Sequence, residues 1–165
     1  MTIIEKVKKR RILIIPSSIL IGFLLLFAAC DDVRMHAFRE LQGEWLATDT
    51  LEYSYFNSSD VALHEAFLQL RCSSSYPVRE LWLRIEHVAA DVRRVDTVCC
   101  EVFDSLGSQQ GSSVGLLRQT SHAVGVYSVQ PGDTAVIKVT HLMSDAVRGV
   151  TDVGIKICGR GRRLF

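Results

Sequence analysis

The sequence predicts an all-β fold, an antiparallel β-sandwich of immunoglobulin-like or jelly-roll-like type, behind a removable amino-terminal targeting segment. Three observations predict it. Apolar and polar residues alternate in one short run after another, Gly, Ser, Asp and Pro separate those runs, and helical periodicity is almost absent downstream of Cys30. Period-two patterning marks strands with one buried face, and many short strands between turn residues indicate two packed sheets.

The chain opens with MTIIEKVKKRR, in which Lys6, Lys8, Lys9, Arg10 and Arg11 face only Glu5. That stretch carries +4, so the rest of the chain carries −3 of the overall +1. An uncharged apolar run, Ile12 to Ala29, follows. A basic head, an apolar run and small residues are the layout of a secretory signal. As a helix the run would reach roughly 27 Å, close to the ~30 Å hydrocarbon core, so on length alone it also fits a retained anchor. Its carboxyl end separates the readings: FAAC places Ala28 and Ala29 directly before Cys30. An apolar residue, two small residues and a cysteine form the pattern at which bacterial lipoproteins are acylated and cleaved. Residues 1–29 are therefore expected to be a cleaved lipoprotein signal peptide. Cys30 is the expected lipid attachment site, and residues 30–165 one lipid-anchored β-sandwich domain. Two or three acyl chains, at ~0.8 kcal/mol per buried methylene, hold a protein stably on a membrane.

Within that domain the strands follow in order. WLATDTLEYSYF is a candidate. AFLQLRC sets Ala66, Leu68, Leu70 and Cys72 on one face, and ELWLRIEH sets Leu81, Leu83 and Ile85 against Glu80, Arg84 and Glu86. DTVCCEVF and HAVGVYSV follow. TAVIKVTH opposes Ala135, Ile137 and Val139 to Lys138 and Thr140, and DVGIKI opposes Val153, Ile155 and Ile157 to Lys156. One short helical turn is expected in SSDVALHEA, capped by Ser59 or Asp60.

Little in the domain points to catalysis. GSSVG matches G-x-S-x-G around Ser113, but that motif works as a strained strand-to-helix turn in a large α/β sheet. Neither the strand nor the helix is present in the pattern, so a Gly/Ser-rich loop is expected. The histidines, His36, His64, His87, His122 and His141, lack metal-ligand spacing, and no phosphate-cradling glycine motif occurs. No catalytic residue, metal or cofactor is expected. The basic charge belongs to targeting, which removes the case for a nucleic-acid partner. Cys72, Cys99, Cys100 and Cys158 all fall in strand patterns and read as buried thiols; an exported domain also permits a disulfide, with no connectivity assigned. The pairs Asp49-Thr50, Asp96-Thr97, Asp104-Ser105 and Asp133-Thr134 fit turn chemistry or, with the aliphatic residue after each, bacterial O-glycosylation.

Taken in order, these blocks resemble the GldH family of gliding-motility lipoproteins. The family's lipobox corresponds to FAAC, and its tryptophan ahead of an acid and a strand to Trp45 and Asp49. The block D…Y-x-L-x-L-x-R…Y-P-Y-x-N-L-W-L corresponds to DVALHEAFLQLRCSSSYPVRELWLRI, through Asp60, Leu68, Leu70, Arg71, Tyr76, Pro77, Leu81 and Trp82. D-T…D-x-x-G is met by Asp96, Thr97, Asp104 and Gly107, and the closing block by His141, Met143, Gly149, Asp152, Val153 and Gly154. The resemblance implies a non-enzymatic envelope lipoprotein associated with gliding motility and the type IX secretion machinery. Its partners would be a membrane lipid anchor and envelope proteins, with the outer membrane, periplasmic side, favoured. Trp82, an aromatic residue on a polar strand face, and Tyr76 are the candidate interaction residues. The rival is an envelope carbohydrate- or small-ligand-binding sandwich, which would expose Tyr53, Tyr55, Trp82 or Tyr127 together on a concave surface.

Overall fold

Eleven strands and no helix make up residues 32–160, the part of the computed structural model that is described. The signal segment with Cys30, and residues 161–165 with Arg162 and Arg163, lie outside the described residues. The strands are β1 (Val33–Glu40), β2 (Glu44–Trp45), β3 (Leu51–Phe56), β4 (Leu63–Cys72), β5 (Glu80–Ala89), β6 (Val92–Glu101), β7 (Ser112–Val114), β8 (Leu117–Ser128), β9 (Thr134–His141), β10 (Val147–Arg148) and β11 (Val150–Gly159).

They form a five-stranded sheet ordered β1-β11-β4-β8-β7 and a four-stranded sheet ordered β3-β9-β5-β6, with β2 and β10 paired as a short strap. Every neighbouring pair is antiparallel. With the short strands β2, β7 and β10 set aside, the chain passes from sheet to sheet so that first pairs with last and second with next-to-last. That double Greek key is the jelly roll, which decides between the two sandwich types the sequence left open.

The core lies between the sheets and is built by the alternating residues. Leu68, Leu70, Val153 and Ile155 from the first sheet meet Leu81, Leu83, Ile137 and Val139 from the second, all at most 1% exposed. At ~25 cal/mol per Å² of apolar area, each such side chain contributes roughly 1.5–3 kcal/mol by burial. Polar contacts register one sheet on the other. The Tyr53 hydroxyl donates to the Val153 carbonyl at 2.7 Å, the Tyr127 hydroxyl donates to Asp96 at 2.8 Å, and His87 stacks on Tyr127 with ring centroids 4.4 Å apart.

Three local expectations change. Residues 58–66 hold no helical turn, because β4 begins at Leu63 and Asn57 organises the residues before it as a loop: its Oδ1 accepts from Ser59 N–H, and its Nδ2 donates to the Val61 carbonyl. β1 is a strand that alternation missed; as an edge strand it buries Met35 and Ala37 only partly, so its apolar signal is diluted. β6 starts at Val92, four residues ahead of the DTVCCEVF run, because Ala90-Asp91 closes a two-residue hairpin after β5 and Arg93 and Arg94 continue the ladder.

Among the described residues the four cysteines are thiols; Cys72, Cys100 and Cys158 are buried and Cys99 is half-buried. Burial pushes the Cys72 and Cys100 thiols up to about 12, which removes thiolate reactivity at neutral pH.

Candidate functional site

The two ends of the sandwich differ in what they carry. At one end Val33 pairs with Cys158, Leu63 with Ser128 and Phe56 with Thr134. Asp32 accepts there from Gly159 N–H, and Arg160 N–H donates to Leu63. Both described termini therefore lie at this end. At the other end Glu40 pairs with Asp152, Cys72 with Arg118 and Glu80 with Glu101. There the loops 73–79, 102–110 and 142–149 converge with the β2–β10 strap.

That far end is built from the motif residues. Trp45 is fully buried, donating from Nε1 to the Asp49 carbonyl at 3.2 Å and packing edge-on against His141, with centroids 5.2 Å apart. His141 Nδ1 accepts from Met143 N–H and Nε2 donates to the Trp45 carbonyl, so one imidazole ties β9, the strap and the 142–147 loop together. Tyr76 is 3% exposed, its ring stacked on Phe103. Gly149, at φ +83°, lets the chain pass so closely that an added Cβ would stand 2.7 Å from Tyr76 Cα. Asp104 accepts from Leu106 and Ser108 N–H groups, both at 2.8 Å, and Gly107 turns the chain back at φ +80°. Gly154 is explained by a neighbour: the Phe38 ring lies where its Cβ would be, 2.5 Å away at the nearest atom.

Of the two candidate interaction residues, Trp82 reaches the surface and Tyr76 is buried against Phe103 and Gly149. Trp82 is 44% exposed on the outer face of the four-stranded sheet, beside its cross-strand partner Cys99 and beside Leu142, 51% exposed, whose N–H donates to the Trp82 carbonyl. Val78 adds exposed apolar surface on the 73–79 loop, and Leu46 on the loop after the strap. A pocket of about 150 Å³ opens between Pro77, Val78, Met143 and Val147. Toward the middle of the sheet this apolar zone gives way to a charge ladder. Lys138 pairs with Glu52 at 2.8 Å and Arg93 with Glu86 at 2.8 Å, with Arg84 3.7 Å from Glu86. The Arg93 hydrogen bond holds the Glu86 carboxyl below its usual range. An apolar patch rimmed by paired charges suits a protein contact.

The aromatic platform of a carbohydrate site is not formed, because Tyr53, Tyr55 and Tyr127 are 2%, 4% and 4% exposed. Ser113 sits in the exposed β7 hairpin opposite Arg118, with no histidine or acid bonded to it among the described residues. No cluster of metal-ligating side chains occurs among the described residues. The Asp-Ser/Thr pairs divide: Asp49 and Asp104 bond backbone N–H groups in turns, whereas Asp96 holds Tyr127 and Arg94. The hydroxyl residue is exposed in all four.

The profile of the GldH lipoprotein family matches residues 34–157. The chain belongs to the GldH lipoprotein family. Membership makes it a gliding-motility-associated lipoprotein of the cell envelope, in a family not known for enzymes. The match runs from the second residue of β1 nearly to the end of β11, so it takes in every strand of the jelly roll. No curated protein matches the chain. Among solved structures, dimeric latent PorU from Porphyromonas gingivalis is 10% identical, with a TM-score of 0.33 over 79% of this chain and 13% of that one. Eiger TNF from S. frugiperda is 8% identical, with a TM-score of 0.35 over 77% of this chain and 92% of that one.

Sequence reasoning found Trp82 but not its setting. Leu142 follows a strand pattern and Val78 a proline, and neither carries a signal of exposure. Only the pairing of β9 with β5 brings Leu142 to Trp82.

Proposed function

We propose that this GldH-family chain is a non-enzymatic, lipid-tethered interaction module of the gliding and type IX secretion machinery. In this reading residues 1–29 are a cleaved signal peptide, Cys30 carries the lipid, and the outer membrane, on its periplasmic side, holds the domain. The observation that carries it is the placement of the described termini at the end opposite Trp82. Cys30 precedes Asp32 by two residues, a span of at most ~7 Å. A lipid on Cys30 therefore holds the Asp32 end at the bilayer and turns the Trp82 end outward, about one strand length away. Confinement to a surface raises the domain's effective concentration for envelope partners without any new contact.

The test is metabolic labelling with an alkyne fatty acid, followed by membrane fractionation, for wild type, Cys30→Ser and Trp82→Ala. Wild type takes up label and sediments with membranes, Cys30→Ser loses both, and Trp82→Ala keeps both but loses co-isolated envelope proteins. An unlabelled wild type sinks the lipid anchor, and an unchanged set of co-isolated proteins in Trp82→Ala sinks the Trp82 contact.

A further inference from the structure

The sandwich has two open sides, each crossed by one arginine. On the β1/β3 side Arg39 donates from Nε and Nη2 to the Glu52 carbonyl, both at 3.3 Å. On the β6/β8 side a length of backbone is left unpaired on both sheets. β6 has a neighbour only in β5, in an unbroken register from Val92 to Glu101. Because Leu142 N–H donates to the Trp82 carbonyl, Trp82 bonds toward β9, so Leu81 and Leu83 bond toward β6. Their partners Cys100 and Val98 bond back, and by antiparallel alternation Thr97, Cys99 and Glu101 direct N–H and C=O away from the sheet. On β8, β7 covers only Leu117 to Gln119, which leaves Ser121 equally free on its outer side.

These edges flank an open groove of about 560 Å³, lined by Cys99 and Glu101 from β6 and by Gln119 to His122 from β8. Both ends are stopped. At one, Gln110 N–H donates to the Val102 carbonyl at 2.7 Å as the chain crosses between sheets. At the other, Arg94 donates to the Val126 carbonyl at 3.2 Å, and the Tyr127 hydroxyl bonds Asp96. From Thr97 to Glu101 the free edge runs roughly 13 Å, at ~3.3 Å per strand residue.

We infer that this slot takes an extended segment of a protein partner, which pairs with the free edge of β6 as an added strand. The inference rests on the reading of the domain as an interaction module. Free donors and acceptors that alternate every second residue match a polypeptide backbone in repeat and in chemistry, and the strand-addition mode of recognition uses that match. Edges not meant for pairing are blunted by charged side chains, lysine above all, by proline or by a bulge. Thr97 to Cys100 has none of these, Glu101 is the one charge at its end, and the register with β5 is continuous.

The experiment uses the full chain in its own cells, with photoreactive benzoylphenylalanine at Ser121 in the slot or at Trp82 on the outer face. Thr97→Pro removes one outward N–H and leaves the β5 ladder intact, whereas Thr97→Ser keeps that N–H and changes only the side chain. Circular dichroism and thermal unfolding of the purified variants verify the fold; Ser121→Arg, read at Gln119, replaces Thr97→Pro should the proline variant not fold. A protein adduct at Ser121 that falls at least fivefold in Thr97→Pro and persists in Thr97→Ser supports strand addition. An adduct equally strong in Thr97→Pro overturns it, as does labelling of glycan or lipid alone. Silence at Ser121 with a protein adduct at Trp82 overturns the slot and leaves the interaction module standing; silence at both removes both.

Discussion

Gly149 shows how much of the far end depends on single residues. It has φ +83°, and an added Cβ would approach Tyr76 backbone to 2.7 Å; Gly132 has φ +85° with open space around it. Both substitutions to alanine carry the left-handed strain of roughly 1–2 kcal/mol. Gly149→Ala adds a backbone clash, so in urea unfolding it should lose at least ~1 kcal/mol more than Gly132→Ala. Equal losses would mean that the 73–79 loop shifts freely. Histidines set the pH response at the same scale. Burial pushes the imidazoles of His64 and His87 below the ordinary value of 6.5; Arg94 lowers His87 further and Asp96 opposes it. The unfolded chain takes up these protons near 6.5 and the folded chain resists them, so protonation favours unfolding. Above that value both states are neutral and these groups add no slope. The urea midpoint should therefore fall as pH drops from 6.5 toward 5, and His87→Phe should flatten the fall. An unchanged slope in His87→Phe would assign the dependence to other groups.

At the scale of elements, the two tryptophans, on β2 and β5, do opposite jobs. Trp45 is the buried peg of the β2–β10 strap, bonded to Asp49 and packed on His141, and Trp82 stands on the outer face of β5. Trp45→Ala should cost roughly 3–5 kcal/mol in chemical unfolding, the range for a buried aromatic. Trp82→Ala should change stability by less than about 1 kcal/mol, since a surface side chain leaves no cavity. A large loss at Trp82 would make it a packing residue rather than a contact. The sheet-to-sheet bond from Tyr53 to Val153 belongs to this scale as well. Tyr53→Phe leaves a buried carbonyl short of one donor and should lower stability by about 1–2 kcal/mol, read from the same unfolding curves.

At the scale of the whole molecule, the jelly roll joins the two ends of the described chain. β11 lies between β1 and β4, so its removal would leave β1 without a partner, strip β4 of one of its two neighbours and open the core at Val153, Ile155 and Ile157. A chain ending before Val150 should show no cooperative thermal transition; a retained transition would mean that the remaining strands fold without β11. Pairing of the first strand with the last also makes contacts predominantly non-local, which slows folding because loop closure precedes the reward of contact. The same topology separates function from attachment, with termini at one end and the Trp82 patch at the other.

Which residues lie inside was legible from alternation alone. Alternation named the inward sets of β4, β5, β9 and β11 correctly, because a strand with one wet face must alternate and a one-residue slip would turn its whole apolar set to water. The sequence also carried the family, through motif residues spread along the whole domain. The tertiary structure decided what alternation does not encode, since strand order and edge exposure depend on which strand lies beside which. Immunoglobulin and jelly-roll sandwiches bury the same patterns, so only the β1–β11 and β3–β9 pairings separate them. Tyr76 and Trp82 stand six residues apart and look alike in sequence, yet one is covered by Gly149 and Phe103 and the other faces solvent. The slot beside β6 was illegible for the same reason: it is lined by strands far apart in the chain, and an unpaired backbone group has no letter in the sequence.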